Sequence, residues 1–347
     1  MNTTPSSTSD VTSTTVSGRS KPERDQLQTD AATRTRVAGE RALVLGGGGS
    51  TGNAWLIGVL AGLFEAGLDA TAADLTVGTS AGATAAAQIA GASPTELLAA
   101  ILADPPQKRP DPVDSDRERV PIRPAADGVA RIRKIIDSAA DAAEMRRKMG
   151  AAALAMEVDM EAMSDGSWPS RWRATVAARL PSQLWPQRTV LITAVDAQTG
   201  EPVVFDRHSG IALVDAVAAS CASGLPHRIG NRRYIDGGFR SNAENADLAA
   251  GYARVLVLSP FGGRSLTPPE WGMYLATQVD ELRLRGSRVE TIFPDADSEH
   301  MFGANAMDLS LRPPAARAGY DSPNSGSDTL EIGDRRRHHD TKPARRG

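Results

Sequence analysis

Apolar residues in this chain fall into short continuous runs separated by amphipathic stretches. Arg41 to Leu45, Thr189 to Val195 and Ala253 to Leu258 are three such runs, and Leu75 to Val77 is a shorter one. Runs this continuous predict strands buried on both faces, as in a parallel sheet. Between them, Trp55, Leu56, Val59, Leu60 and Leu63 recur at helical spacing and predict a helix over Gly52 to Gly67. Further helices are predicted over Ser80–Ala90, and from Ser93-Pro94, where a capping serine precedes proline at the first helical position. Two or three more fall within Ala125–Met163, then one each at Ser170–Leu180, Leu213–Cys221 and Pro268–Leu284, with short helical patterns to about Gly319. The remaining strands are predicted at Pro202–Asp206, Arg233–Asp236 and Arg288–Phe293. Strands that alternate with helices in this way imply a three-layer α/β/α fold, its central sheet mainly parallel. Ligands of such sheets bind at the carboxyl ends of the strands.

Three segments break the pattern. Residues 1–38 are rich in Ser, Thr and charge, and residues 321–347 are polar and end in RRRHHDTKPARRG. Neither can bury enough apolar surface to offset its ordering entropy, so both are expected to be disordered. Pro105 to Pro124 is dense in Pro, Asp and Arg and is expected as an exposed loop. The rest can build a sizeable core, since 41% of the 347 residues are hydrophobic. With a net charge of −3, nothing global argues for nucleic acid or an anionic membrane as the main partner, and no nucleic acid is expected. The single cysteine, Cys221, excludes an intrachain disulfide and fits a reducing compartment. No signal-peptide pattern opens the chain, and no run approaches the ~18 apolar residues of a spanning helix. The expectation is a cytoplasmic protein, with peripheral membrane contact left open.

Candidate chemistry lies in three glycine turns, each following a predicted strand. The first is Gly46-Gly47-Gly48-Gly49-Ser50-Thr51-Gly52. Such a turn can present backbone N–H groups to a dinucleotide pyrophosphate or to an oxyanion. The dinucleotide reading needs an acidic residue closing the next strand, about 20 residues on. Here the next strand runs instead into Gly78-Thr79-Ser80-Ala81-Gly82, so a nucleotide-dependent oxidoreductase is disfavoured and no cofactor is expected. This second turn is a G-x-S-x-G frame in strand–turn–helix context, which can expose a nucleophilic hydroxyl at the sheet edge. The bland reading is a serine that only caps a helix. The third turn, Asp236-Gly237-Gly238, puts a carboxylate at a strand end; it suits a general base, and equally a plain Asp-Gly turn.

A Ser-His-Asp triad would need a histidine. His338 and His339 lie in the polar tail, His208 in a polar loop and His227 in a turn close to Pro226. His300 follows Ser80 and Asp236 in the chain order of α/β-hydrolases, but its setting, Asp-Ala-Asp-Ser-Glu-His, suits a solvated side chain.

Taken together, GGGGSTG, GTSAG and DGG on alternating elements resemble the patatin-like phospholipase family over roughly residues 41–310. The resemblance implies a domain over 39–320, with 105–165 as a loop and helical insertion able to cap a pocket. It also implies a Ser-Asp dyad that dispenses with histidine, cleaving carboxylic ester bonds of lipids through an acyl-enzyme. By position, Ser80 would be the nucleophile, Asp236 the base, and the N–H groups of Gly47, Gly48 and Gly49 the oxyanion hole. Gly52, Gly78, Gly82, Gly237 and Gly238 would be the motif glycines. Ala218-Ala219-Ser220-Cys221-Ala222 is similar to the small-residue segment that precedes the Asp strand in the family. Thr51 stands where the family commonly has Arg or Lys, and the extra glycine allows the donors to shift by one residue. The expected partner is a lipid or ester substrate, and a non-catalytic α/β binding protein for an anionic or acyl ligand is the alternative.

Overall fold

The computed structural model describes residues 31, 39–103, 125–163 and 168–322. The segments expected to be disordered, 1–38 and 321–347, lie almost wholly outside the described residues, and the loop Pro105–Pro124 lies entirely outside them.

Eight strands form one sheet: β1 (Arg41–Leu45), β2 (Leu75–Gly78), β3 (Thr189–Asp196), β4 (Pro202–Phe205), β5 (His227–Ile229), β6 (Arg232–Asp236), β7 (Arg254–Leu258) and β8 (Arg288–Ile292). Their order is β5-β6-β3-β2-β1-β7-β8, with β4 paired to β3 beyond the end of β2. The five strands from β3 to β8 in that order are parallel, whereas β4, β5 and β6 add an antiparallel end. The buried run over β3 is therefore not purely a parallel strand: it joins the two halves of a mixed sheet. β5 has no counterpart in the sequence pattern, because three residues are too few to show alternation.

Nine helices are described: α1 (Gly49–Glu65), α2 (Ala81–Ile89), α3 (Pro94–Ala103), α4 (Ala125–Asp137), α5 (Ala142–Met163), α6 (Trp168–Ala177), α7 (Leu213–Ser220), α8 (Leu275–Leu284) and α9 (Arg312–Asp321). β1 shows how the three layers arise. Leu43 and Leu45 point into one core, with Trp55 and Leu56 of α1 and Val217 of α7. Ala42 and Val44 point into the other, with Leu275 and Val279 of α8. Met145 and Met149 of α5 pack with Val195 and Ile235 on the β3–β6 end, so this part of the insertion is built onto the sheet. No single helix among the described residues is long and apolar enough to cross a membrane.

α1 is buried on every side from Ser50 to Leu63, not along one stripe. α9 covers its outer face at backbone distance: a Cβ on Gly58 would lie 2.0 Å from the Ala316 carbonyl oxygen. The helix also starts at Gly49, three residues earlier than its apolar stripe predicts, because the end of the glycine turn supplies its first turn. Trp55 is fully buried, and truncating such a side chain costs about 3–5 kcal/mol.

Candidate active site

Ser80 sits between β2 and α2 with φ 52° and ψ −113°. Among the described residues, only Ser80 and Asn245 hold a positive φ without being glycine. Such conformations cost on the order of 1–3 kcal/mol and persist only where the surroundings enforce them. The glycines of the motif are part of that enforcement. A Cβ on Gly78 would lie 2.7 Å from the Ala83 Cα, and one on Gly82 only 1.9 Å from the Leu45 carbonyl oxygen. The obstructing atoms are backbone and cannot swing away, so α2 approaches β2 this closely only with glycine at 78, and β1 only with glycine at 82. The Ser80 N–H donates to Ser220 Oγ at 2.9 Å, and its carbonyl accepts from Cys221 Sγ at 3.1 Å and from the Thr84 N–H at 3.2 Å.

Asp236 ends β6, paired across the sheet with Ala194 of β3. Its Oδ2 accepts from Ser80 Oγ at 2.9 Å, and its Oδ1 accepts from the Gly238 N–H at 2.9 Å. Burial pushes its carboxyl up to about 6; the Gly238 N–H and the Ser80 hydroxyl pull the other way without cancelling it. Gly237 is required here as well, since a Cβ would meet Thr193 Oγ1 at 2.1 Å. A polar network behind the pair joins the two strand ends. Thr79 Oγ1 and Thr193 Oγ1 are 2.9 Å apart, and Asn245 Nδ2 lies 3.0 Å from both Thr79 Oγ1 and the Gly237 carbonyl. The resemblance marks Ser220 and Cys221 only as part of a small-residue segment, without their contacts to Ser80, and the sequence pattern carries no sign of Asn245.

The first glycine turn lies beside the elbow: a Cβ on Gly47 would be 3.5 Å from Ser80 Cβ. Here the expected donor set needs correction. The Gly47 N–H already donates to the Ala243 carbonyl at 2.8 Å and is not open to a ligand. Gly48 and Gly49 donate to no acceptor among the described residues, and neither does Ala81, the residue after Ser80. Among the described residues the N–H groups left open are therefore those of Gly48, Gly49 and Ser50 in the first turn, past Gly47, and that of Ala81 on the elbow itself. Gly52 packs on Pro260, with a would-be Cβ at 3.1 Å. Thr51 sits in the position where a cation is common in similar turns, and its N–H is bound to the Ala306 carbonyl at 3.0 Å.

No histidine hydrogen-bonds Ser80 or Asp236 among the described residues. His208 accepts from Arg207, His300 Nδ1 contacts the Asp297 carbonyl, and His227 is buried with Nε2 3.1 Å from Asp215. His338 and His339 lie outside the described residues. The described residues also hold no cluster of His, Cys, Asp and Glu suited to a metal ion. A shallow cleft of about 20 Å³ lies between α4, α5 and the turn after Asp236, with Arg131, Ile132, Met149, Ser223 and Phe239 among its walls.

A family model described as Patatin-like phospholipase matches residues 43–248. No curated protein matches the sequence. Among solved structures, VipD from Legionella pneumophila is similar at 12% identity and TM-score 0.37, over 83% of this chain and 66% of that one. The type III effector protein ExoU is similar at 14% identity and TM-score 0.32, over 82% of this chain and 52% of that one. ExoU in its complex with SpcU from Pseudomonas aeruginosa gives 18% identity and TM-score 0.31, again over 82% and 52%. This chain thus spans 66% of the length of VipD and 52% of that of ExoU. The family match takes in the GGGGSTG turn, the GTSAG elbow and the Asp236 turn, and covers more than half of the sequence: the chain belongs to the patatin-like phospholipase family.

Proposed function

We propose that the protein is a serine esterase of patatin type, which cleaves carboxylic ester bonds of lipids or phospholipids with Ser80 as nucleophile and Asp236 as base. The observation that carries this reading is the 2.9 Å contact between Ser80 Oγ and Asp236 Oδ2 on a strained elbow. A serine hydroxyl is a weak nucleophile until an adjacent base takes its proton. Here the base is a carboxylate that burial has made more basic than usual, which partly makes up for the absent imidazole.

In this reading Ser80 Oγ attacks the ester carbonyl carbon as its proton passes to Asp236. The tetrahedral oxyanion receives hydrogen bonds from the open N–H groups of Gly48, Gly49 and Ala81, helped by the N-terminal dipole of α2. The intermediate then collapses, the C–O bond to the alcohol breaks, and the leaving alkoxide takes the proton back from Asp236. An acyl-Ser80 ester remains. Water, giving its proton to the same carboxylate, repeats the sequence and releases the fatty acid. Helices α4 and α5 pack beside the turn that follows Asp236, a place from which they would act as a cap.

The test is hydrolysis of a short-chain nitrophenyl ester and a lipid panel, with Ser80→Ala and Asp236→Asn alongside wild type. Loss of turnover in both variants supports the dyad; wild-type turnover in both refutes it. A fluorophosphonate probe separates the esterase from a binding protein, because an unactivated serine stays unlabelled.

A further inference from the structure

Two adjacent side chains at the end of α7 grip Ser80 from both sides of its backbone. Ser220 Oγ accepts the Ser80 N–H at 2.9 Å, and Cys221 Sγ stands 3.1 Å from the Ser80 carbonyl oxygen. Neither contact involves the substrate-facing hydroxyl. We infer that Ser220 and Cys221 are positioning residues, which hold Ser80 in its strained conformation and so keep Oγ within reach of Asp236. The inference rests on the reading of Ser80 as the nucleophile.

Three features support it. First, a serine at φ 52° returns to an ordinary region unless something holds it, and these are the side-chain bonds to its backbone. Second, the grip comes from a rigid support. α7 is buried along most of its length, Trp172 Nε1 donates to its Ala218 carbonyl, and Arg173 makes two bonds to Asp215 in its first turn. Third, the two groups are chemically complementary to the two ends of a residue. The hydroxyl accepts from the N–H, and the thiol, which burial pushes up to about 12, stays protonated and donates to the carbonyl. The same helix end also reaches the base: the Ala222 carbonyl accepts the Asp236 N–H at 3.0 Å. One short segment thus ties down both members of the pair.

The test uses the full chain and a soluble short-chain nitrophenyl ester, with rates expressed per site titrated by a fluorophosphonate. Ser220→Ala is expected to lower kcat about tenfold or more with KM within about twofold, and to slow fluorophosphonate labelling in parallel. Cys221→Ala is expected to lose several-fold in kcat, and Cys221→Ser, which restores an O–H donor, to recover most of it. A purely structural role would instead lower Tm and the number of titratable sites and leave kcat per site unchanged. Should Ser220→Ala fail to fold, the contrast between Cys221→Ala and Cys221→Ser decides alone, and equal kcat in those two overturns the inference. Wild-type kcat in both Ser220→Ala and Cys221→Ala, with Ser80→Ala inactive, overturns it while leaving the dyad intact. Activity in Ser80→Ala itself removes the dyad and this inference with it.

Discussion

Among the described residues, two serine–carboxylate pairs lie at the same edge of the sheet, on either side of β1. Ser80 follows β2 and donates to Asp236 at 2.9 Å; Ser259 follows β7 and donates to Glu244 at 2.6 Å. Burial raises both carboxyls, Asp236 to about 6 and Glu244 to about 7. By distance and by basicity the second pair is the better dyad. What it lacks is everything else. Ser259 is fully buried, whereas Ser80 is partly exposed at the turn. Ser259 has no strained backbone, and its hydroxyl also accepts the Gly263 N–H. Glu244 Oε2 is buried with no hydrogen-bond partner among the described residues, which disfavours its ionised form. A short serine–carboxylate hydrogen bond is therefore not a catalytic signature in itself. Access, strain and open N–H donors distinguish the first pair.

That contrast can be broken in several ways. The largest expected effect is on turnover. Ser80→Ala should lower kcat by about 10⁴-fold or more, and Asp236→Asn by about 10²–10⁴-fold, as expected for removal of a nucleophile and of a general base. Ser259→Ala should stay within about threefold of wild type; a loss comparable to that of Ser80→Ala would make the second pair a participant.

Next in size is the steric frame of the elbow. Gly82→Ala drives a methyl to within 1.9 Å of the Leu45 carbonyl, so soluble, folded protein should be lost or its stability cut by more than about 4 kcal/mol in denaturant titration. Near-normal stability would mean that the elbow is looser than its geometry implies.

The pH profile comes third. Asp236 must be ionised to accept a proton, so kcat/KM should rise with pH through about 6 and then level off. A profile that tracks about 7 instead would point to Glu244.

Smallest is a stability effect. Glu244 has a folded value near 7 against an ordinary 4.5, so the stability it contributes is complete below 4.5 and is lost as pH rises through about 7. Asp236 acts in the same sense between 3.8 and about 6. Tm should therefore fall from pH 4.5 to 8, and Glu244→Gln should flatten that slope with turnover within about threefold of wild type. An unchanged slope would show that Glu244 is not held protonated.

Much of the site is legible in the sequence because its steric rules are local. Gly78 and Gly82 flank Ser80 at fixed spacing, and their collisions are with backbone that the same strand–turn–helix unit supplies or faces. Asp236 is legible as a carboxylate at a strand end followed by two glycines. The parts that stay hidden depend on distant partners. Ser220 lies 140 residues from Ser80 and Asn245 lies 166 residues from Thr79; the small-residue segment that holds Ser220 gives no hint of its partner, and Asn245 carries no pattern at all. The Gly47 N–H is consumed by Ala243, a contact that no property of a four-glycine turn announces. α1 shows an apolar stripe yet is buried all round, because α9 is more than two hundred residues away in the chain. β5 is too short to show alternation, and its one local cue is the two-residue turn Gly230-Asn231 between Ile229 and Arg232, which pair across it.

The most direct test of the dyad is the site and rate of fluorophosphonate labelling, read by peptide mapping in wild type and in Asp236→Asn. The expected result is a single adduct on Ser80, formed at least tenfold more slowly in Asp236→Asn, with Ser259 unmodified. An adduct on any other serine, or equal rates in the two proteins, would contradict Ser80 activated by Asp236.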